Sequence, residues 1–147
     1  MATSSPSPPS AAARAERLEE RARSLGFGPV GVTRPRASDH LDFYRRWLAE
    51  GRHGEMRYLE RDDAVRRRGD LALTMEGVRS VLVVAHPYFR EDTEGVPDDP
   101  SVGVVARYAR GRDYHRVVKK KLLELLRGMQ DGADGTVEGR AYVDTGP

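Results

Sequence analysis

Asp144 follows Arg140 to Val143, which reads as a short strand, and α/β folds gather reactive groups at the C-terminal ends of buried strands. Tyr142 and Val143 beside it are apolar enough to desolvate a carboxylate, as an acid that donates a proton near neutrality requires. A turn residue capping the backbone ahead of Gly146 is the commoner use of aspartate, and the residues alone leave both roles open. A second candidate is the block Arg107-Tyr108-Ala109-Arg110-Gly111-Arg112-Asp113-Tyr114-His115. Its guanidinium forks interleaved with aromatic rings suit anionic or stacked ligands, although a charge run before a helix is more often a solvated face. One glycine between Arg110 and Arg112 cannot supply a phosphate-cradling nest. His40, His53, His86 and His115 are scattered, and no pair has the spacing of metal ligands on one helix. The sequence has no nucleophile elbow, no P-loop and no complete dinucleotide fingerprint.

The elements that must position these residues are legible as a helix–strand alternation. Ala12, Ala15, Leu18, Ala22 and Leu25 recur at helical spacing, and order is expected from about Ala11 until Gly26 and Gly28 stop the helix. Pro29 to Thr33 reads as a buried strand. Asp39 is expected to cap a helix carrying Leu41, Tyr44, Trp47 and Leu48, ending at Gly51. Met56, Tyr58 and Leu59 open a short helix with an arginine-rich polar continuation to Arg68. Ser80 to Ala85 is β-branched and continuously apolar, which predicts a strand buried on both faces. Arg90 to Pro100 is an acidic, proline-bearing loop. Val102 to Ala109 alternates weakly, as a strand would. Asp113 caps the best helix, with Val118, Leu122, Leu125, Leu126 and Met129 on one face. Arg140 to Val143 reads as a last strand. The expected class is therefore α/β.

The chain has 147 residues and no cysteine, which excludes disulfides, thiolate zinc sites, a cysteine nucleophile and thiolate-held iron–sulfur clusters within it. Twenty-five Lys and Arg against 23 Asp and Glu give a net charge of only +2, compatible with local basic patches but not with a strongly cationic nucleic-acid binder. The longest apolar run, Val81 to Ala85, is far too short for a membrane span. Residues 1–13 read as a disordered tail without signal-peptide features, and residues 14–147 as the body, with the cytoplasm as the default location.

Four blocks taken in order resemble the N-terminal half of the epoxyqueuosine reductase family, the cobalamin-dependent iron–sulfur enzymes of tRNA queuosine synthesis. They are Trp47 to Leu59, Gly77 to Val81 with its strand, Ala106 to His115, and Val143-Asp144-Thr145-Gly146. The resemblance runs from about Leu18 to the end. Two stretches, Glu76-Gly77-Val78 and His86-Pro87-Tyr88, depart from the family's commoner pattern. The resemblance implies an incomplete nitroreductase-like cobalamin-binding domain, with helices packed on a small sheet. Full-length members follow it with a ferredoxin-like domain holding two 4Fe-4S clusters. It further implies that Asp144 is the proton donor, that Arg68 meets a polar edge of the corrin, and that Ala106 lies against the cofactor. Arg107, Tyr108 and Tyr114 are expected in the pocket wall. The implied partners are a tRNA substrate and a ferredoxin-like iron–sulfur domain, here missing or separate, so that the isolated chain should not turn over.

Two other classes remain at this stage. One is a non-catalytic cobalamin- or flavin-binding module; the other is a nucleic-acid-binding remnant that uses the arginine-rich stretches.

Overall fold

The computed structural model describes residues 9–89, 91, 95, 97–133 and 136–144. The expected tail thus lies outside the described residues as far as residue 8, as do Arg90, residues 92–94 and 96 of the acidic loop, and Thr145 and Gly146. Among the described residues, four α-helices and one antiparallel pair of strands give an α/β architecture. They fall into two compact units: the described residues of Met1–Val30 with Val84–Thr145, and those of Gly31–Val83.

The larger unit is built on α1 (Ala11–Ser24) and α4 (Tyr114–Asp131), which pack against each other. The α1 helix starts where its apolar spacing starts, three residues ahead of a boundary drawn at 14, because the Ser10 hydroxyl accepts from the Ala13 N–H at 3.2 Å and caps it. Gly26 ends it with φ +78°, a left-handed conformation that suits glycine. Ala22 and Leu125, one from each helix, are buried with Phe27. Gly28 N–H donates to the Ala85 carbonyl at 2.7 Å, and Ala85 N–H donates to the Pro29 carbonyl at 3.0 Å.

The smaller unit holds α2 (Leu41–Ala49), a 3-10 turn Arg57–Leu59, α3 (Asp62–Gly69) and a second 3-10 turn Leu71–Leu73. The strands β1 (Val30–Thr33) and β2 (Val81–Val84) pair only with each other among the described residues. Both were expected to be buried, yet Val32 and Val83 are each 58% exposed. Four-residue strands with one partner apiece cannot screen both faces, and the strongest packing in the chain is helix against helix.

Other expectations change for local reasons. Asp39 does not cap α2; its carboxylate pairs with Arg36 at 3.0 Å, and His40 occupies the cap position without a side-chain bond. The short helix after Met56 breaks at Glu60 into a 3-10 turn and a separate α3, which opens on Asp62 and Asp63. Residues 102–106 are irregular and 107–109 form a 3-10 turn, so no strand runs from Val102 to Ala109. Arg140 to Val143 is not a strand either; its Ala141 carbonyl accepts from Lys119 of α4 instead of from a neighbouring strand. No described helix is long and apolar enough to cross a membrane.

Candidate functional site

The site is assembled at the N-terminus of α4 and on the segment that lies along that helix. Asp113 caps α4 as its sequence position predicts: one carboxylate oxygen accepts from the His115 N–H at 3.0 Å. The same oxygen lies 2.8 Å from His115 Nδ1. The hydrogen bond with the His115 ring, then the one from its backbone, holds the Asp113 carboxyl below the usual carboxylate range. Arg116 adds a weaker contact at 3.7 Å.

The segment after α4 returns along the helix. Gln130 donates to the Val137 carbonyl at 3.0 Å, and Lys119 Nζ donates to the Ala141 carbonyl while lying 5.4 Å over the Tyr142 ring. Between these anchors Gly139 passes so close that a Cβ there would stand 2.5 Å from Leu126 Cδ1. The Val137 and Ala141 carbonyls are taken by α4 side chains, and the backbone arrives at Asp144 without sheet geometry.

Both oxygens of Asp144 are engaged. The Tyr114 hydroxyl donates to Oδ2 at 2.5 Å, and His115 Nε2 faces Oδ1 at 3.2 Å. The two rings that make these contacts stack at 4.0 Å with an interplanar angle of 27°, and Tyr108 meets Tyr114 edge-on at 6.0 Å. Because its proton is shared with a carboxylate, and because burial and that negative charge oppose a phenolate, Tyr114 is pushed up to about 12. His115 therefore lies between two carboxylates, those of Asp113 and Asp144. A neutral imidazole can donate to only one of them; both contacts are donor–acceptor pairs when the ring carries two protons. The apolar enclosure expected from Tyr142 and Val143 is not what surrounds Asp144, whose side chain is 60% exposed. What distinguishes this carboxylate is a phenol and an imidazole.

Of the residues singled out in the sequence, the structure brings together Asp144, Tyr114 and Tyr108. Ala106 precedes the 3-10 turn Arg107–Ala109, and the Arg107 guanidinium sits 4.8 Å over the Phe89 ring. Arg68 belongs to the smaller unit, where it covers the Tyr44 ring at 4.6 Å and donates to the Ala64 carbonyl at 2.8 Å. Sequence reasoning gave no role to His115 and took Asp113 only as a cap. The usable signal was a histidine two residues after a helix-capping aspartate, a spacing that lets one carboxylate hold both the helix end and the ring. Among the described residues no group of three or more His, Asp or Glu is placed to hold a metal ion.

An exposed carboxylate held by a phenol and an imidazole at a helix N-terminus is an arrangement for moving protons at the surface of an α/β protein. Comparison with known proteins gives the family. The sequence profile described as "Epoxyqueuosine reductase QueG, DUF1730" matches residues 68–145, a span that includes every candidate site residue named above. The epoxyqueuosine reductase of Gloeobacter violaceus is 42% identical over 135 residues, covering 90% of this chain and 40% of that protein. Those of Pseudomonas aeruginosa (35% over 143 residues, 96% of this chain and 39% of the relative) and Synechococcus sp. strain CC9605 (38% over 122 residues, 79% and 35%) are also similar. The chain belongs to the epoxyqueuosine reductase family. It spans about 40% of the length of the first two of these curated relatives. No solved structure matches it.

Proposed function

We propose that this chain is the cobalamin-binding part of an epoxyqueuosine reductase, residues 14–147 belonging to a nitroreductase-like domain, with Asp144 as the acid that protonates the epoxide oxygen of the modified base in tRNA. The family match over residues 68–145 carries the reading, and the His115 ring 3.2 Å from Asp144 Oδ1 supports it as a route by which that carboxyl would be reprotonated. Removing an epoxide oxygen as water consumes two electrons and two protons. Bound cobalamin would supply the electrons. The protons come through the protein's own side chains. Asp144 would give one to the oxygen as the first carbon–oxygen bond breaks, His115 would return one to Oδ1, and Asp144 would pass that second proton to the hydroxyl, which leaves as water when the second carbon–oxygen bond breaks. Asp113 keeps the imidazole turned toward Asp144, and Tyr114 fixes the other carboxylate oxygen.

The residues present fit a corrin, a broad ring with an apolar face and an amide rim. Tyr108, edge-on to Tyr114, and Phe89, under the Arg107 guanidinium, are large rings that are 56% and 67% exposed. Ala106 would let the ring approach the backbone; the family resemblance, independently of those rings, gives Arg68 as a residue that would meet a polar edge of the corrin. The 147 residues hold no cysteine, so thiolate-held 4Fe-4S clusters would belong to a ferredoxin-like domain that is missing from this sequence or separate. The proposed setting is cytoplasmic.

The test is the visible spectrum of the purified chain titrated with cobalamin. A saturable base-off shift is expected from the wild type and from Asp144→Asn alike. With chemically reduced cobalamin and an epoxyqueuosine-bearing stem-loop, only the wild type should form the deoxygenated product, in at most a single turnover. The absence of any shift removes the corrin reading. Product formation by Asp144→Asn removes the acid, and sustained turnover by the isolated wild type removes the need for an iron–sulfur partner.

A further inference from the structure

The smaller unit carries a feature that the proposed reaction leaves unused. Phe43, Arg46, Trp47 and Glu50 share one face of α2 by their three- and four-residue spacing, and together with Arg52 they line a groove of about 250 Å³. The indole in it is braced from behind. Tyr44 stacks on Trp47 at 6.1 Å and 15°, and His53, only 8% exposed, lies 6.1 Å from it on another side. Tyr44 is itself locked, its hydroxyl donating to the Leu59 carbonyl at 2.6 Å and its ring covered by Arg68 at 4.6 Å. His53 is held in turn by Glu60 at 3.3 Å.

The groove combines rigid aromatic surface with an unspent cation. Phe43 is 61% exposed, a ring left in water. Glu50 is neutralised by Arg52, Nε to Oε2 at 2.5 Å, while Arg46 has no acidic partner among the described residues. Two flat rings call for a planar ligand, and one uncompensated guanidinium calls for a single anion beside it.

We infer that this groove holds a nucleotide of single-stranded RNA, its base against Trp47 and Phe43 and the adjoining phosphate on Arg46. The choice of RNA rests on the proposed tRNA-modifying function; the groove itself does not. An acidic peptide would satisfy Arg46 but leave both rings without a flat partner.

Trp47 is the sole tryptophan of the chain, so its emission reports the groove directly. An oligoadenylate about eight nucleotides long, within the length such sites cover, is titrated into the full chain at several salt concentrations. Saturable quenching of Trp47 is expected, with affinity falling as salt rises. Arg46→Gln should lower the magnitude of the salt slope by about 0.7, the contribution of one phosphate on a single strand. Phe43→Ser should weaken binding about tenfold or more while leaving the salt slope unchanged, as lost stacking does. Circular dichroism confirms that each variant is folded. Oligonucleotide binding that both folded variants retain in full would overturn the proposal, as would equal quenching by AMP alone or by a glutamate-rich peptide. The cobalamin spectrum of these variants is read in parallel. An unchanged base-off shift with lost RNA binding supports the groove, and a wild-type chain that binds RNA but not cobalamin sinks the corrin reading alone.

Discussion

Replacing Asp144 by asparagine should release the Tyr114 hydroxyl. In the folded chain that phenol donates to a carboxylate oxygen at 2.5 Å and is pushed up to about 12 from its ordinary 10.0, with the hydrogen bond as the largest cause and the carboxylate's charge adding to it. Asparagine keeps an acceptor oxygen but removes the charge, so the midpoint should fall back toward 10. The acid constant changes by at most about a hundredfold, and solvent around the half-exposed pair makes that the upper limit. At pH 11 the wild-type phenol would be roughly 10% ionised, against roughly 90% for a phenol of ordinary acidity. The assay is tyrosinate absorbance in the near ultraviolet, with Tyr114→Phe as the blank that isolates one of six tyrosines. The sign for stability follows from the raised value: the contact contributes fully below pH 10 and is lost as pH rises through about 12. Circular dichroism at each pH keeps unfolding separate from titration. If folded wild type and folded Asp144→Asn titrate identically, the Tyr114–Asp144 contact is not made in solution and the site loses its anchor.

Two stability predictions concern the larger unit. Leu125 is 1% exposed in the α1–α4 contact, and Leu125→Ala should destabilise the chain by about 2–5 kcal/mol, read as a lowered denaturant midpoint; a loss below about 1 kcal/mol would place the core elsewhere. Asp113→Asn should flatten the acid limb of the stability profile, because the wild-type carboxyl is held low by His115 and contributes above pH 3.8, losing that contribution as pH falls through its folded value; superimposable acid limbs would show that the cap and the histidine contact add nothing.

Much of this was legible where the cause is local. The apolar spacing of α1 and α4, the stop at Gly26 and the Asp113 cap all operate within a few residues, and they appear where the sequence places them. The strands were found but not their exposure, since Val81 to Val84 looks the same whether one partner strand or several lie beside it. Residues 102–106 and 140–143 share strand-like composition and form no ladder, because pairing depends on a neighbour that a local pattern cannot supply. The site was half legible. Asp144 and Tyr114 could be named separately, but they stand 30 positions apart, and only the return of the chain along α4 unites them. His115 was hidden for the same reason: its second carboxylate comes from that returning segment.

The larger unit is discontinuous in sequence, with Gly31–Val83 inserted between its two parts. During synthesis α1 emerges long before α4, and the whole of the smaller unit is complete while Ala22 still lacks the helix that covers it. Asp144, Tyr114 and His115 therefore come together only after α4 has been made. Until α4 leaves the ribosome, the face of α1 that packs against it stays uncovered.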